Sequence, residues 1–178
     1  MKNIILGVTG SIAAYKGADI ANILTKRGYN VDVIMTKSAM EFITPLTFQS
    51  LTKNKVYWNM FEEITPKEIK HISLAKKADL CLIAPASANL IGKIASGIAD
   101  DMLTTVVMAM NNIPVYICPA MNTNMYNNPI VQRNIRTLSE LGYRFIDPKE
   151  AVLACGDLGK GALADVETIV NTVETYFK

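Results

Sequence analysis

Short apolar runs that end in small polar residues, each followed by a helical stretch, recur along this chain. The clearest runs cover 3–8, 31–35, 80–84 and 115–119. They are rich in aliphatic and β-branched residues and lack the strict polar alternation of half-exposed strands, which is typical of strands buried on both faces. Strands that alternate with helices in this way predict a parallel sheet.

The polar residues that follow these runs predict a ligand pocket. Ligands of open α/β sheets bind beyond the carboxyl ends of the strands, where side chains from several strands converge. The candidate cofactor-binding residues at these ends are Gly10, Ser11, Thr36, Ser38, Ser87 and Asn89. Gly10 and Ser11 precede a predicted helix over 12–27, whose free N–H groups favour a phosphate. The alternatives are a glycine-rich turn without a ligand, and Ser and Asn side chains that only cap helices.

Two motifs that the chain lacks narrow the type of ligand. A dinucleotide fingerprint that starts at Gly7 needs glycine where Thr9 and Ile12 stand, and no Walker Gly-Lys-Ser/Thr sequence is present. After the second run, Thr36 and Ser38 stand where NAD enzymes carry an acid that binds ribose. Hydroxyls suit a phosphate better, so we predict a mononucleotide rather than NAD.

Composition and charge argue against a nucleic-acid-binding protein and against a membrane-spanning one. The 18 basic and 16 acidic side chains give a formal net charge of +2, which provides no electrostatic reason to expect nucleic acid. Half of the residues are apolar, which fits a covered parallel sheet or burial between subunits, so we expect an oligomer. No apolar run approaches the length of a membrane span.

We predict an α/β fold, a three-layer Rossmann-like (flavodoxin-like) parallel sheet with helices on both faces, in a single domain over residues 1–178.

The three cysteines indicate the cellular compartment of the protein. Cys81, Cys118 and Cys155 are unevenly spaced and no signal peptide precedes them, which favours a reduced, cytoplasmic location, and no metal site is predicted.

Asp100 or Asp101 is expected to cap a helix. An aromatic cluster over 57–61 is expected to form core or subunit contacts rather than a cofactor site. Its members are Tyr57, Trp58, Met60 and Phe61.

Three residues are candidates for chemistry, and each has a structural alternative. Asn122 follows the run over 115–119 and is as well suited to cap the next helix as to bind a substrate. His71, the only histidine, opens a short predicted helix whose positive dipole end favours the neutral ring, although a lone His is more often structural. Cys155 lies in a glycine-rich segment over 154–165 that is typical of a mobile flap over a site.

Five motifs occur in an order that resembles a known family. They are GVTGSIAAYK at 7–16, HIS at 71–73, PASAN at 85–89, PAMNTNM at 119–125 and ACGDLGKG at 154–161. Each motif is weak alone, but the ordered set strongly resembles the homo-oligomeric flavin-containing cysteine decarboxylases over nearly the whole chain. Because the glycine-rich motif contains a Cys, the chain resembles the branch of the family that acts on a pantothenate derivative more than the branch that modifies peptides.

The resemblance implies a cofactor, an assembly and a catalytic trio. The cofactor is FMN, bound between the subunits of a trimer or of a multiple such as a dodecamer. By match to the motifs, FMN contacts Gly10, Ser11, Ser38, Ser87 and Asn89. The resemblance also implies that His71, Asn122 and Cys155 are catalytic, with His71 facing the Asn122 of a neighbouring subunit.

The reaction that the resemblance implies is the FMN-dependent decarboxylation of phosphopantothenoylcysteine to phosphopantetheine in coenzyme A biosynthesis. A cysteine-derived carboxylate has no electron sink, so a hydride first passes to FMN and leaves a thioaldehyde, and loss of carbon dioxide then gives an enethiolate. Asn122 would hold the carboxylate, and His71 would position or deprotonate the reacting group. Cys155 would supply a proton before the hydride returns, so no net oxidation occurs.

The chain departs from the family pattern at two positions. Tyr126 replaces the usual Trp, and Ala162 stands where the flap commonly has Arg, which affects how the flap holds the substrate. A separate phosphopantothenate–cysteine ligase is the expected pathway partner. The alternative functions are a peptidyl-cysteine decarboxylase, a flavin prenyltransferase and a non-catalytic flavin-binding regulatory subunit. Cys155 argues against the first two, and the lack of a long acidic extension argues against the third.

Overall fold

A six-stranded parallel sheet lies at the centre of the computed structural model, which describes residues 1–61, 68–152, 156 and 158–178. The strands are β1 Asn3–Val8, β2 Asn30–Met35, β3 Val56–Tyr57, β4 Leu80–Ala86, β5 Val115–Pro119 and β6 Arg144–Phe145. Their spatial order is β3-β2-β1-β4-β5-β6, which is the order of a doubly wound Rossmann sheet. The chain therefore changes direction across the sheet between β1 and β4, and this switch point is where such folds bind ligands.

Helices cover both faces of this sheet. In chain order they are α1 Ala14–Lys26, α2 Lys37–Met40, α3 Pro45–Thr52, α4 Lys70–Lys77, α5 Ala88–Ala95, α6 Met102–Ala109, α7 Thr123–Tyr126, α8 Pro129–Glu140 and α9 Val166–Phe177. Because side chains alternate along β1, Ile4 and Leu6 pack in a hydrophobic cluster with α1, α3 and α9. Ile5 packs on the opposite face with α4, α5, α6 and α8. The predicted three-layer α/β arrangement is confirmed.

A separate antiparallel pair lies outside the sheet. It consists of β7 Lys149–Val152 and β8 Leu158–Ala162. The sequence predicts a mobile glycine-rich flap over 154–165, and within that range residues 158–162 form β8, whose glycines pack closely against the loop after β5. The connection between the two strands contains the predicted catalytic Cys155, which lies outside the described residues.

Smaller differences concern short elements. β3 has only two residues and therefore carries no periodic signal that a sequence could reveal. The first helix begins at Ala14 rather than near Ile12, because the Ala14 N–H closes a preceding turn on the Ser11 carbonyl at 2.9 Å. Over the ranges that the structure covers, no helix has the length and apolar character needed to cross a bilayer.

Candidate active site

A cavity of about 1170 Å³ opens at the carboxyl ends of the strands, around the switch point between β1 and β4. All six predicted cofactor-binding residues and Asn122 line this cavity, although they come from loops far apart in the sequence. The parallel sheet brings these loops together because every strand points its carboxyl end to the same edge. The volume exceeds the roughly 300–1,000 Å³ that is usual for one small-molecule ligand.

Thr9 joins the two strands at the switch point. Its side chain is 1% exposed, and its hydroxyl donates a hydrogen bond to the Pro85 carbonyl at 2.7 Å. The same oxygen accepts a hydrogen bond from the Ser87 N–H at 2.8 Å. Thr9 thereby fixes the loop that carries Ser87 and Asn89 relative to the loop that carries Gly10. Sequence reasoning treated Thr9 only as a missing glycine, because its hydrogen-bond partners lie 76 and 78 residues away.

Replacing Thr9 with Val should destabilise the protein by about 1–3 kcal/mol, because the buried hydroxyl is lost and the half-buried Ser87 N–H loses its acceptor. Urea unfolding measures the change. The matched control is Thr175→Val on the exposed side of α9, where the hydroxyl donates to the Asn171 carbonyl at 2.8 Å. The control should change stability by no more than about 0.5 kcal/mol. Equal losses for the two variants would contradict the role given to Thr9.

Three hydroxyls of the cavity wall also cap their own helices or turns. Thr36 accepts a hydrogen bond from the Ala39 N–H at 3.2 Å, and Ser87 accepts one from the Leu90 N–H at 3.3 Å. Ser11 accepts one from a backbone N–H two residues further on, at 3.2 Å. Capping and ligand binding are compatible here, because an oxygen that accepts from the backbone keeps its own proton to donate to an anion.

Gly10 lets two of these loops touch. A Cβ at this position would lie 2.5 Å from the Cβ of Ser38, which is closer than any real contact between carbons. The turn after β1 and the turn after β2 therefore meet only because residue 10 has no side chain. Ser11 and Ser38 consequently lie on the same wall of the cavity.

Asn122 caps a short helix and also faces the cavity. Its side-chain oxygen accepts a hydrogen bond from the Asn124 N–H at 2.8 Å and caps the short helix α7, whereas Asn128 caps the longer helix α8 that the sequence predicts. Asn122 also lines the cavity, together with the predicted cofactor-binding residues.

His71 does not line this cavity. It lies half-buried in the first turn of α4, on the face of the sheet that the second hydrophobic cluster covers. The chain therefore does not bring His71 and Asn122 into one pocket. The sequence resemblance implied that these residues meet across a subunit boundary, and that arrangement stays a prediction.

The aromatic cluster before α4 contributes to the cavity, which sequence reasoning missed. Trp58 packs against the core as predicted, but it also lines the cavity together with Met60 and Phe61. Phe61 is 72% exposed in the single chain. The sequence could not reveal this placement because the preceding strand, β3, is too short to show which face each residue occupies.

Charged side chains on the β4 side of the cavity form ion pairs, one lysine with two aspartates. Lys93 contacts Asp100 at 2.7 Å and Asp101 at 3.4 Å, and the hydrogen bond that Lys93 donates to Asp100 raises the pKa of Lys93. Asp101 also forms a capping box with Thr104 at the start of α6, which confirms the predicted capping role. Along the parts of the chain that the structure covers, no group of three or more His, Cys, Asp or Glu residues is placed to hold a metal ion.

Two cysteines are buried in the sheet. Burial raises the pKa of the Cys81 thiol to about 12, and it also raises the pKa of Cys118. Both thiols stay protonated near neutral pH and have no exposure to a ligand. Neither can act as a proton donor at the cavity.

The β8 strand packs directly on the loop that carries Asn122. The Met121 N–H donates a hydrogen bond to the Gly161 carbonyl at 2.9 Å. A Cβ on Gly161 would lie 2.3 Å from the Met121 carbonyl oxygen, and one on Gly159 would lie 2.5 Å from Thr123 Oγ1. Glycine at these two positions therefore seats the antiparallel pair against the cavity wall.

Replacing Gly161 with Ala should displace β8 from this loop and break the Met121 hydrogen bond. We expect the Met121 amide to exchange with solvent about tenfold faster or more, since local opening would cost at least about 1.4 kcal/mol less. Hydrogen exchange followed by NMR measures the effect. The control is Gly92→Ala in α5, where the added methyl would have only an ordinary contact with Asn134 at 3.6 Å. Unchanged Met121 protection would contradict the seating of β8.

Comparison with known proteins gives end-to-end matches. Residues 1–178 match the Flavoprotein family. The chain is 55% identical over 174 residues to a Streptococcus mutans protein named "Probable phosphopantothenoylcysteine decarboxylase", with 97% of each chain covered. It is 51% identical to the Bacillus subtilis "Coenzyme A biosynthesis bifunctional protein CoaBC" over 99% of this chain, but it spans only 43% of that longer protein.

Two solved structures resemble the fold closely. One is described as a Cys-to-Ser mutant of PPC decarboxylase complexed with pantothenoylaminoethenethiol. It has a TM-score of 0.92 and 34% sequence identity, and the match covers 99% of this chain and 98% of the other. The second is described as the FMN binding protein AtHal3, with a TM-score of 0.89, 34% identity and coverage of 99% and 96%.

Proposed function

This chain belongs to the flavoprotein family, and on that premise we propose that it is an FMN-dependent decarboxylase that converts phosphopantothenoylcysteine to phosphopantetheine in coenzyme A biosynthesis. The observation that carries the proposal is the cavity at the switch point, which gathers all six predicted cofactor-binding residues and Asn122. The similarity to the named decarboxylases supports the same reaction. We treat residues 1–178 as one flavoprotein domain, as the family match supports.

The cavity fits FMN together with a substrate. Its volume of about 1170 Å³ is larger than a single ligand needs. Gly10, Ser11, Thr36 and Ser38 would hold the phosphate end, and Ser87 and Asn89 would contact the flavin from the other side of the switch point. When bound, FMN supplies the acceptor and later the donor of a hydride.

The remaining chemistry is assigned to residues of the chain. Asn122 holds the substrate carboxylate next to the cofactor until carbon dioxide leaves. His71 of a neighbouring subunit positions or deprotonates the reacting group. Cys155, outside the described residues, delivers the proton that the enethiolate needs.

A phosphopantothenate–cysteine ligase supplies the substrate in the proposed pathway. A cytoplasmic location is supported by Cys81 and Cys118, which are free thiols.

A homo-oligomer, either a trimer or a multiple of it, completes the site in this proposal. Five apolar side chains that line the cavity are strongly exposed in the single chain, which favours cover by a second copy. They are Ile12, Tyr15, Phe61, Met125 and Val152. Light scattering should therefore give a mass that is a multiple of the trimer mass. A stable monomer at micromolar concentration would contradict this assembly.

The test of the proposed function combines a spectrum with a substrate comparison. The purified protein should show the absorbance of oxidised FMN, or gain it on addition of FMN. It should release carbon dioxide from phosphopantothenoylcysteine and not from a peptide that ends in cysteine. A colourless protein that fails to take up FMN, or one that prefers the peptide, would overturn the proposal.

A further inference from the structure

A buried carboxylate interrupts the apolar run of β2. Asp32 is 4% exposed, although its neighbours Val31 and Val33 are apolar and the strand is covered on both faces. Because side chains alternate along a strand, Asp32 lies on the same face as Ile34, which packs in the hydrophobic cluster that includes α4. A carboxylate is almost never buried in such a place unless another group compensates its charge.

Lys77, the last residue of α4, supplies the compensating charge. Its ammonium group donates a hydrogen bond to Asp32 Oδ2 at 2.6 Å. The lysine side chain is still 47% exposed, so the carboxylate is the partner that loses most of its hydration. Replacement of an ion pair of this kind by apolar residues of similar shape is often neutral for stability or even stabilising. Net stability is therefore a weak reason for an ion pair at this position.

A second set of hydrogen bonds holds the end of α4 through a residue that follows it. Asp79 accepts hydrogen bonds from the backbone N–H of Asn3 at 2.8 Å and from its side-chain amide at 3.3 Å. The side-chain amide of Asn30 donates to Asn3 Oδ1 at 3.1 Å and lies 3.4 Å from Asp32 Oδ2. Lys77 and Asp79 thus belong to one polar network on β1 and β2. This network fixes the carboxyl-terminal end of α4 to the sheet at two points.

The opposite end of α4 carries His71 and is attached differently. Along the described parts of the chain, no side chain caps this helix at Ile69. Lys70 reaches the sheet through its ammonium group, which lies over the Tyr57 ring at 5.7 Å from the centroid. The helix also buries an apolar face, but apolar burial is non-directional and does not by itself fix the register of a short helix. The register of α4 therefore depends on the polar network at its far end.

The direction of α4 links that network to the site. Only Ala78 and Asp79 connect α4 to the amino end of β4, so the helix runs back toward the amino edge of the sheet. Its first turn, with His71, is the end that points toward the carboxyl edge, where the cavity opens. Six residues separate His71 from Lys77, which is about 9 Å along the helix axis. A helix this short transmits a shift of one end directly to the other.

We propose that the ion pair between Asp32 and Lys77 positions His71 by fixing where α4 lies on the sheet. The inference rests on the proposed function, in which His71 acts on the reacting group at the site of a neighbouring subunit. Neither Asp32 nor Lys77 lines the cavity, so they are positioning residues rather than catalytic ones. Loss of the pair should therefore change the rate of the reaction and leave flavin binding intact.

The test replaces the pair by apolar side chains of similar shape. In the double variant Asp32→Leu/Lys77→Met, both charges are absent, so no unpaired carboxylate is left in the core. Lys77→Arg keeps an ion pair at the same position and is the conservative variant. Arg27→Gln is the control, because it removes ion pairs with Glu167 and Glu174 between α1 and α9, on the opposite face of the sheet.

The expected result separates rate from stability. The double variant should unfold at a urea concentration no lower than that of the wild type, yet its kcat per bound flavin should fall about tenfold. Its KM and its dissociation constant for FMN should stay within about twofold of the wild type. Lys77→Arg and Arg27→Gln should keep kcat within about twofold as well. A double variant that loses folded protein but keeps the wild-type kcat per bound flavin would overturn the positioning role.

The ring of His71 reports its own placement without any measurement of activity. His71 is the only histidine of the chain, so its ring resonances can be assigned directly by NMR on protein that contains isotope-labelled histidine. These resonances should shift in the double variant and stay in place in Lys77→Arg and Arg27→Gln. Unchanged ring resonances in the double variant would contradict the inference.

A combination with His71→Asn tests whether the pair acts through the ring. In that background the double variant should cost no further rate, because the group that it positions is already absent. An equal loss of rate in both backgrounds would show that the inference is wrong while the proposed function stands. If the wild type releases no carbon dioxide but the ring resonances of His71 still move in the double variant, the proposed function fails and the link from the pair to His71 stands.

Discussion

Replacing His71 with Asn is expected to lower the rate of decarboxylation by about 10²- to 10⁴-fold while leaving bound FMN in place. The rate falls because an amide cannot exchange a proton near neutral pH as imidazole does. The flavin stays because the substitution changes none of the six predicted cofactor-binding residues, all of which line the cavity. Initial rates of carbon dioxide release and the flavin absorbance of the same samples measure the two effects.

The control for this variant is Ser73→Ala in the same helix. Ser73 donates hydrogen bonds to Glu68 at 2.7 Å and to the Lys70 carbonyl at 2.9 Å, so its removal loosens α4 without touching the ring. A comparable loss of rate in this control would reduce His71 to a structural residue. Near-normal turnover of the His71 variant would have the same meaning.

A mixing experiment tests whether the site is shared between subunits. His71→Asn and Asn122→Ala should each be inactive alone. If His71 of one subunit acts with Asn122 of its neighbour, re-assembled mixtures should regain part of the activity, because some sites then combine two intact residues. Mixtures that stay inactive after verified subunit exchange would contradict the shared site.

Replacing Cys155 with Ser is expected to separate the two halves of the reaction. A serine hydroxyl is a far weaker acid than a thiol, whose reference pKa is about 8.5, so protonation of the enethiolate should fail after carbon dioxide has left. The buried thiols Cys81 and Cys118 cannot replace it, because burial raises the pKa of both. Anaerobic mixing with substrate should bleach the oxidised-flavin absorbance, and the absorbance should not recover.

Mass analysis completes the test of Cys155. The product of the serine variant should lack a hydride and a proton relative to phosphopantetheine. Turnover to phosphopantetheine with re-oxidised flavin would show instead that Cys155 is only a small packed residue in a glycine-rich segment.

The sequence predicts the buried layers well because burial dictates residue type there. The bounds of β1 at Asn3–Val8 agree with the predicted run over 3–8, and α1 at Ala14–Lys26 lies within the predicted helix over 12–27, since apolar runs and helical periodicity are strong local signals. The local sequence of β8 predicts a flap rather than a strand, because glycine favours loops in the absence of other information. Its glycines instead permit contact with the loop after β5, a tertiary cause that no local pattern records.

Some residues of the candidate site could be predicted from local sequence patterns, and others depend on tertiary contacts. Hydroxyls and amides at strand ends could be assigned to one pocket, because parallel strands carry their carboxyl ends to one edge. The role of Thr9 could not be predicted, since it depends on hydrogen bonds to Pro85 and Ser87 across the sheet. The placement of Phe61 on the cavity wall could not be predicted either, because it follows from the path of the chain after β3.

We propose that this chain removes carbon dioxide from phosphopantothenoylcysteine with no net oxidation. The most direct test is mass analysis of the product after the FMN-loaded protein has turned over this substrate many times without added oxidant or reductant. The claim predicts phosphopantetheine, lighter than the substrate by one carbon dioxide, with the flavin oxidised at the end. Unchanged substrate, or a product that is also oxidised and accumulates only to the amount of flavin present, would contradict it.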